Sequence, residues 1–207
     1  MPNGEFKGFM RKKKIRIGIL AFQGGVAEHK EASLQALKNL KQDGEVVLIR
    51  SRKDIKNLDA LILPGGESTV FYKLVLNAGI FQELKKIKNI FGTCAGAIFI
   101  AKNIKNKIKG QKSLEVMDME VDRNAYGAQG ESFEENIETK LGKINAVFIR
   151  APKIKKVGKN VTILAGNKKN IIACEERGKG RNYLATCFHP ELSTTKFHEY
   201  FIKNLVL

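Results

Sequence analysis

Short apolar runs alternate with amphipathic segments along the first half of the chain. Apolar runs bounded by polar or glycine-rich turns predict strands, and apolar positions spaced three or four apart among charges predict helices. On this basis we predict strands at residues 15–22, 45–49, 60–63 and 89–93, and helices at residues 26–41, from about 68, and 95–101. Strands alternating with helices favour a parallel sheet covered on both faces.

The pattern changes beyond residue 101. Strand-like pieces follow without a convincing helix between them, at residues 114–121, 146–150, 161–164 and 171–175. A strand at residues 183–189 and a closing helix at 194–205 complete the chain. We therefore predict an α/β fold in three layers, with a mostly parallel central sheet, helices on both faces and an antiparallel strand section. Ser68 or Thr69 is the expected N-cap of the helix from about residue 68.

The composition limits the class of protein. A chain of 207 residues, 43% of them hydrophobic and 28% charged, can form one domain with a packed core. We expect residues 1–14 to be a flexible basic extension and residues 15–207 to be a single domain. No apolar run approaches the roughly 20 residues that a membrane helix needs, and the N-terminus lacks an apolar signal core. We therefore expect a cytoplasmic protein.

The net charge of +16 raises the question of a nucleic-acid partner. The lysines are scattered from residue 7 to residue 203, and no basic stripe studded with aromatic residues is present. We therefore expect a lysine-rich surface and neither a nucleic-acid nor a membrane partner. The three cysteines, at positions 94, 174 and 187, lack the C-x-x-C spacing of zinc sites. We expect no disulfide framework and no metal.

One cysteine lies between glycines where a predicted strand meets a predicted helix. The sequence G-x-C-x-G at residues 92–96 has the form of a nucleophile elbow with sulfur in place of serine's oxygen. A nucleophile on such a sharp turn needs very small neighbours, which Gly92 and Gly96 supply. We expect Cys94 to be the nucleophile and the N–H of Ala95 to donate to an oxyanion.

A cysteine nucleophile needs a base, and the chain has three histidines. His189 ends a predicted strand, and Glu191 follows two residues later, so both side chains point the same way in an extended segment. Glu191 can then fix the imidazole tautomer. We expect His198 at the surface and His29 to be solvated or structural. The alternative is a buried cysteine on an elbow-like turn, with His189 merely capping a strand.

A second glycine-rich loop, P-G-G-E-S-T at residues 64–69, follows a predicted strand at the same edge of the sheet. Adjacent glycines let backbone amides approach a substrate closely. The N–H of Gly66 is therefore the candidate for a second oxyanion donor. A plain strand-to-helix turn would also use two glycines.

Together these motifs resemble the class I (triad) glutamine amidotransferases, and more narrowly the glutaminase subunits of pyridoxal 5′-phosphate synthase. The resemblance extends over residues 15–207. It is carried by G-I-L-A-F-Q-G at 18–24, L-I-L-P-G-G-E-S-T at 61–69, F-G-T-C-A-G at 91–96, D-R-N-A-Y-G-A-Q at 122–129, F-I-R-A-P at 148–152 and F-H-P-E-L at 188–192. G-x-C-x-G with H-P-E is typical of the class I glutamine amidotransferases as a whole. The motifs P-G-G-E-S-T, R-N-x-Y-G and I-R-A-P restrict the resemblance to the glutaminase subunits of pyridoxal 5′-phosphate synthase.

The resemblance implies a flavodoxin-like fold and the hydrolysis of L-glutamine to L-glutamate and ammonia. It implies a triad of Cys94, His189 and Glu191, with Gln23 near the active site and the partner interface. The residues that it implies for holding glutamine are Gly65, Gly66, Glu67, Arg123, Ile149 and Arg150. Chemistry agrees, because Glu67 could take the ammonium of glutamine and Arg123 its carboxylate.

The resemblance also implies a partner, a (β/α)₈-barrel synthase subunit that uses the ammonia to build pyridoxal 5′-phosphate, and no organic cofactor on this chain. One alternative is a glutaminase of the histidine or purine pathway, against which P-G-G-E-S-T and I-R-A-P argue. Another is a non-catalytic regulatory or nucleic-acid-binding domain, which an intact triad disfavours. A cysteine peptidase-like relative is disfavoured by the residues implied for glutamine binding.

Overall fold

The structure is a computed structural model and describes residues 14–124 and 132–207. Within these ranges the chain forms strands and helices in alternation and then a run of strands. The strands are β1 (Ile15–Leu20), β2 (Gly44–Ile49), β3 (Ala60–Leu63), β4 (Asn89–Thr93), β5 (Ala101–Lys105), β6 (Met117–Asp122), β7 (Phe133–Ile137), β8 (Ile144–Phe148), β9 (Lys153–Val157), β10 (Val161–Asn167), β11 (Asn170–Gly178) and β12 (Arg181–Thr186). The α-helices are α1 (Val26–Asn39), α2 (Ser68–Asn77), α3 (Phe81–Lys86), α4 (Ala95–Ile100) and α5 (Lys196–Phe201).

One large sheet dominates the fold. Its strands follow the order β2-β1-β3-β4-β12-β11-β9-β6-β5, and β10 pairs with β11. The five strands from β2 to β12 are parallel to their neighbours. Beyond β12 the pairing is antiparallel from β11 through β9 to β6, and β7 and β8 form a separate antiparallel pair. The predicted parallel sheet with an antiparallel section is confirmed.

The chain crosses the parallel half in two directions. From β1 it passes through α1 to β2 on one side, and from β3 through α2 and α3 to β4 on the other. Because such crossovers are right-handed, opposite directions place the helices on opposite faces. In agreement, α1 packs on α5 and α2 packs on α4. The order reverses between β1 and β3, and the carboxyl ends of strands at such a switch point form the ligand crevice of open α/β sheets.

The central strands are largely buried, and β3 is buried along its whole length. The four residues of β3, A-L-I-L, are all buried, as a strand covered on both faces requires. The predicted bounds of β3 and β4 agree with the structure, and the six residues of α4 are likewise all buried. Two buried aromatic pairs, Phe91 with Phe201 and Phe71 with Phe99, pack between the sheet and the helices. Each fully buried ring stabilises the fold by roughly 1.5–3 kcal/mol.

Several predicted boundaries are wrong. β12 ends at Thr186, and the chain then bends so that His189 precedes a 3₁₀ turn at Pro190–Leu192. The N-cap of α2 is Glu67, since its carboxylate accepts the N–H groups of Thr69 and Val70. The closing helix continues from α5 into a π-helical turn at Ile202–Val206. The pattern of hydrophobic and polar residues in the sequence does not predict strands β5, β7 and β9 or helix α3.

None of the helices in the two described ranges combines the length and apolar character that crossing a membrane requires. The predicted basic extension, apart from Lys14, lies outside the described residues. So does most of the D-R-N-A-Y-G-A-Q segment, of which the structure describes residues 122–124.

Candidate active site

Cys94 occupies a sharp turn between β4 and α4. Its backbone has φ 49° and ψ −107°, a conformation that a non-glycine residue rarely adopts. A Cβ on Gly92 would lie 2.6 Å from the carbonyl carbon of Gly96, and a Cβ on Gly96 would lie 2.0 Å from the carbonyl oxygen of Leu63. Both glycines are therefore required by the close packing of this turn against its own helix and against β3. The Cys94 N–H donates to the carbonyl of Thr186 at 2.9 Å, which ties the turn to β12.

His189 reaches the same place from the loop after β12. Its N–H donates to the Val147 carbonyl at 2.8 Å, which fixes the loop against β8. Its ring nitrogen Nδ1 lies 2.7 Å from Glu191 Oε1, and the Glu191 side chain is fully buried. Pro190 between them begins the 3₁₀ turn that brings the two side chains together. The predicted i, i+2 pairing is present, on a turn rather than on an extended strand.

The electrostatics of this group favour charge separation. Burial alone would lower the pKa of His189, but hydrogen bonds with Cys94 and Glu191 raise it to about 10. Burial alone would raise the pKa of Glu191, but hydrogen bonds from His189 and His29 hold it well below its usual range. The arrangement thus supports an imidazolium at His189 and a carboxylate at Glu191 near neutral pH. Such a pair can assist a nucleophile beside it and later give a proton to a leaving group.

The loop after β3 packs directly on these side chains. A Cβ on Gly65 would lie 2.4 Å from His189 Cε1 and 3.2 Å from Cys94 Cβ, so no larger residue fits there. Gly66 has φ +119°, in the region that favours glycine. The Gln23 side chain lies against Gly66, and its Nε2 donates to the Glu67 carbonyl at 2.9 Å. The structure therefore places Gln23 beside the candidate oxyanion loop.

Glu67 and Arg123 form a charged pair at the wall of the site. Glu67 Oε2 accepts from the N–H groups of Thr69 and Val70, while Oε1 lies 3.3 Å from an Arg123 guanidinium nitrogen. Burial raises the pKa of Glu67, but the hydrogen bonds from Thr69 and Val70 and the charge of Arg123 bring it below its usual value. Among the described residues, Arg123 Nε is buried and has no hydrogen-bond partner. A donor is therefore free to bind an anionic group.

A cavity of about 730 Å³ joins these features. Its volume is in the range of small-molecule sites. The predicted residues that line it are Gly66, Glu67, Cys94, Arg123, Ile149, Arg150, His189 and Glu191. Gly65 lies behind the loop against His189, and Ala95 is buried at the start of α4. Cys94 Sγ lies 3.8 Å from the Ile149 carbonyl oxygen, so the segment after β8 also contacts Cys94.

Two histidines outside the predicted set also belong to this region. His29 and His198 are both fully buried, so a surface position for His198 and a solvated one for His29 are wrong. His29 Nε2 lies 3.3 Å from Glu191 Oε2 and 3.1 Å from Thr93 Oγ1. One sequence signal could have revealed His29: it lies three, four and seven residues before Ala32, Ser33 and Ala36, which form the buried face of α1.

Comparison with known proteins agrees with this geometry. The chain is 45% identical to pyridoxal 5′-phosphate synthase subunit PdxT of Oenococcus oeni over 91% of this chain and 96% of that protein. It is 45% identical to the subunit of the same name of Clostridium botulinum, over 93% and 98% of the two chains. The corresponding protein of Archaeoglobus fulgidus is 42% identical over 91% of this chain and 98% of its own length.

Solved structures give the same result. A crystal structure described as a glutamine amidotransferase superposes with a TM-score of 0.76 at 41% identity, over 90% of this chain and 97% of that one. A protein of Thermoplasma acidophilum described as a putative GMP synthase component shares the fold, with a TM-score of 0.59 at 20% identity over 91% and 93% of the two chains. The model of the SNO glutamine amidotransferase family matches residues 19–207, which include every residue of the candidate site. The chain belongs to the SNO glutamine amidotransferase family.

Proposed function

We propose that this chain is the glutaminase subunit of a pyridoxal 5′-phosphate synthase and hydrolyses glutamine with Cys94, His189 and Glu191. The observation that carries the proposal is the link from Cys94 through His189 to buried Glu191 inside one cavity. Relatives at 42–45% identity over nearly the whole chain carry the name of that synthase's subunit, which supports the same assignment.

The reaction follows from the proton positions. The Cys94 thiolate attacks the side-chain amide carbon of glutamine, a C–S bond forms, and the carbonyl electrons move to oxygen. His189 gives its proton to the amide nitrogen, the C–N bond breaks and ammonia leaves. Water then attacks the thioester and gives a proton to His189, the C–S bond breaks, and glutamate is released. Glu191 stays ionised and holds the imidazole in place throughout.

The developing oxyanion needs donors beside Cys94. The N–H of Ala95 follows the nucleophile directly, and the N–H of Gly66 belongs to the loop packed on it. We assign both as donors, since two backbone N–H groups in a buried site cost no reorganisation during the reaction.

Glutamine itself presents an ammonium and a carboxylate. Glu67 Oε1 has lone pairs left for the ammonium, and the unpartnered Arg123 Nε–H suits the carboxylate. Ile149 and Arg150 line the cavity wall beside Cys94, and their backbone groups would provide further hydrogen bonds to glutamine. Gly65 contributes by leaving room for His189.

Ammonia released into water would be protonated and would lose its nucleophilicity. A glutaminase of this kind is useful beside a synthase that receives the ammonia, and the partner that we propose is a (β/α)₈-barrel synthase subunit. The mouth of the cavity carries exposed apolar side chains suited to a protein contact, Leu192 at 47% exposure and Ile149 at 38%. We propose a cytoplasmic location for the pair, because such a synthase uses phosphorylated sugars.

The test measures glutamate release from glutamine by the purified chain, alone and with the synthase subunit of the same organism. Activity should increase when the synthase is added. Cys94→Ala should abolish glutamate release, since no other described thiol lies in the cavity. The variant should still bind the synthase. Cys174→Ala, which removes a buried thiol elsewhere, is the matched control and should retain activity. Equal activity of wild type and Cys94→Ala would overturn the proposal.

A further inference from the structure

Two buried histidine side chains continue the series of polar contacts from Glu191 in the direction away from Cys94. Glu191 Oε2 lies 3.3 Å from His29 Nε2, and His29 Nδ1 lies 2.9 Å from His198 Nε2. His29 comes from α1 and His198 from α5, and both side chains are fully buried. Nothing in glutamine hydrolysis by three residues requires two further buried imidazoles, so their role needs its own explanation.

The hydrogen-bond partners of the two histidines indicate which ring nitrogens carry the protons. Burial, followed by the neighbouring His29, lowers the pKa of His198 to about 3, so His198 is neutral and carries one N–H. Among the described residues, His198 Nδ1 is buried and has no partner, and a proton there would be an orphaned donor. The proton therefore lies on Nε2 and is donated to His29 Nδ1. The other ring nitrogen of His29, Nε2, then faces Glu191 Oε2 and Thr93 Oγ1.

Glu191 needs this donor. One of its oxygens accepts from His189, whereas Oε2 has no hydrogen bond of good geometry within the described residues, and its contact with His29 Nε2, at 3.3 Å, lies within ion-pair distance. A fully buried carboxylate oxygen without a donor is costly, and its carboxylate would be free to rotate or to take up a proton. His29 Nε2 also lies 3.1 Å from Thr93 Oγ1, on the strand that ends at the nucleophile.

We propose that His29, oriented by His198, is a positioning residue that keeps Glu191 ionised and in place. Because Glu191 in turn holds the imidazole of His189, His29 also orients the ring that transfers the proton. This inference rests on the proposed glutaminase function. The titratable groups around Glu191 are His189 beside it, His29 and Glu28 on α1, His198 on α5 and Cys94 beyond His189. Among these groups, within the part of the chain that the structure describes, His29 is the one whose ring nitrogen lies within ion-pair distance of Oε2.

Two amide variants separate the roles of the two ring nitrogens. In His29→Gln the amide nitrogen can occupy the position of Nε2 and donate to Glu191, whereas in His29→Asn it reaches only the position of Nδ1, towards His198. We expect His29→Asn to lower kcat for glutamine by at least about 10-fold, the lower end of the effect seen when a metal-binding histidine loses its hydrogen-bond partner. KM should stay near the wild-type value, and His29→Gln should recover most of kcat.

The pH profile distinguishes positioning from packing. Because His29 helps to lower the pKa of Glu191, its loss lets Glu191 take up a proton at a higher pH. The acid limb of kcat/KM, and that of Cys94 alkylation by iodoacetamide, should therefore move to higher pH in His29→Asn. Phe201→Leu, which loosens the same aromatic cluster without touching the hydrogen bonds, is the control and should lower only the melting temperature.

A second variant keeps the test decisive if His29→Asn does not fold. His198→Phe leaves His29 in place and removes only the donor to Nδ1, so kcat should fall at unchanged KM. An unmoved acid limb in the variants, or equal activity of the Gln and Asn variants, would overturn the proposal. Absence of glutamine hydrolysis in wild type with the synthase would instead contradict the proposed function, while alkylation would still report on His29.

Discussion

At the scale of single residues, the site is shaped by the places where a methyl group does not fit. Gly65, Gly92 and Gly96 each lie so close to a neighbour that an added Cβ would come within 2.0–2.6 Å of it. Two of these contacts hold the nucleophile's turn against β3 and α4. The third, at Gly65, is with the imidazole of His189. The glycines that cannot accept a side chain therefore lie beside the two candidate reactive residues, Cys94 and His189.

Gly65→Ala should separate activity from stability. The new methyl group would lie 2.4 Å from His189 Cε1, so the His189 ring must shift from its present position. We expect kcat to fall by about 100-fold or more, because a displacement of about 1 Å at a reacting group has effects of this size. The measurement is synthase-stimulated glutamate release, with a thermal melt beside it.

Gly79→Ala is the matched control for Gly65→Ala. Gly79 follows α2 with φ +65°, and an added Cβ would meet nothing within 4 Å. Alanine there costs about 1 kcal/mol of stability through backbone strain and should leave kcat unchanged. If Gly65→Ala lost no more activity than Gly79→Ala, close packing at Gly65 would not matter to the reaction.

The reactive residues were predictable because each stands in a local motif. The glycines around Cys94 and the H-P-E sequence after β12 mark a nucleophile and its base without any knowledge of the fold, and the structure brings the three side chains together. His29 and His198 have no such motif. They meet across 169 positions of sequence, and the charged neighbours of His29 suggested solvent. The catalytic roles of Cys94, His189 and Glu191 and the positioning roles of His29 and His198 stay predictions.

At the scale of elements, the site is built from the carboxyl ends of parallel strands. The loops after β1, β3, β4 and β12 bring Gln23, Gly65, Cys94 and His189 to one edge of the sheet. Strands buried on both faces were easy to recognise, since their apolar runs are continuous. The half-exposed β5 and β9 were not, because A-K-N-I-K and K-I-K-K-V carry more lysine than a buried strand.

Glu67 links an element to the site, since it caps α2 and also pairs with Arg123. Glu67→Ala should lose about 1 kcal/mol of unfolding free energy, the usual effect of removing an N-cap. It should also raise KM for glutamine, because the acceptor for the ammonium and the partner of Arg123 are both removed. Urea unfolding and steady-state kinetics with the synthase measure the two effects.

Glu67→Gln is the discriminating control. Its amide oxygen can still accept from Thr69 and Val70, so most of the stability should be kept. Its lost charge should raise KM as far as alanine does. A KM for Glu67→Gln equal to that of wild type would mean that the carboxylate serves the helix and not the substrate.

At the scale of the whole molecule, the reversal of strand order between β1 and β3 decides where the crevice lies. The alternation of elements predicted the fold class, and the family assignment confirms the resemblance carried by P-G-G-E-S-T and I-R-A-P. The net charge of +16 by itself predicted neither feature, because charge is informative about solubility and partners and not about fold. It does bear on how the molecule responds to acid.

Buried His198 should make the fold sensitive to acid in a way that a variant can isolate. Its pKa is about 3 in the folded chain, against about 6.5 for an unfolded one, so its contribution to stability is complete above about pH 6.5 and is lost as the pH falls. Near pH 4.5 the loss reaches roughly 2.5–3 kcal/mol, at about 1.4 kcal/mol for each pH unit below 6.5. His198→Phe removes this titration, whereas the net charge and the His189–Glu191 pair remain.

Urea unfolding near pH 7 and near pH 4.5 measures the difference between the two proteins. Wild type should lose roughly 2.5 kcal/mol more than His198→Phe over this interval, because protonation of His198 favours the unfolded state. Phe201→Leu is the control: it loosens the same cluster but keeps the titrating group, so its curve should run parallel to that of wild type. If His198→Phe also ran parallel to wild type, the acid sensitivity would come from other groups, and a neutral His198 donating to His29 would lose its support.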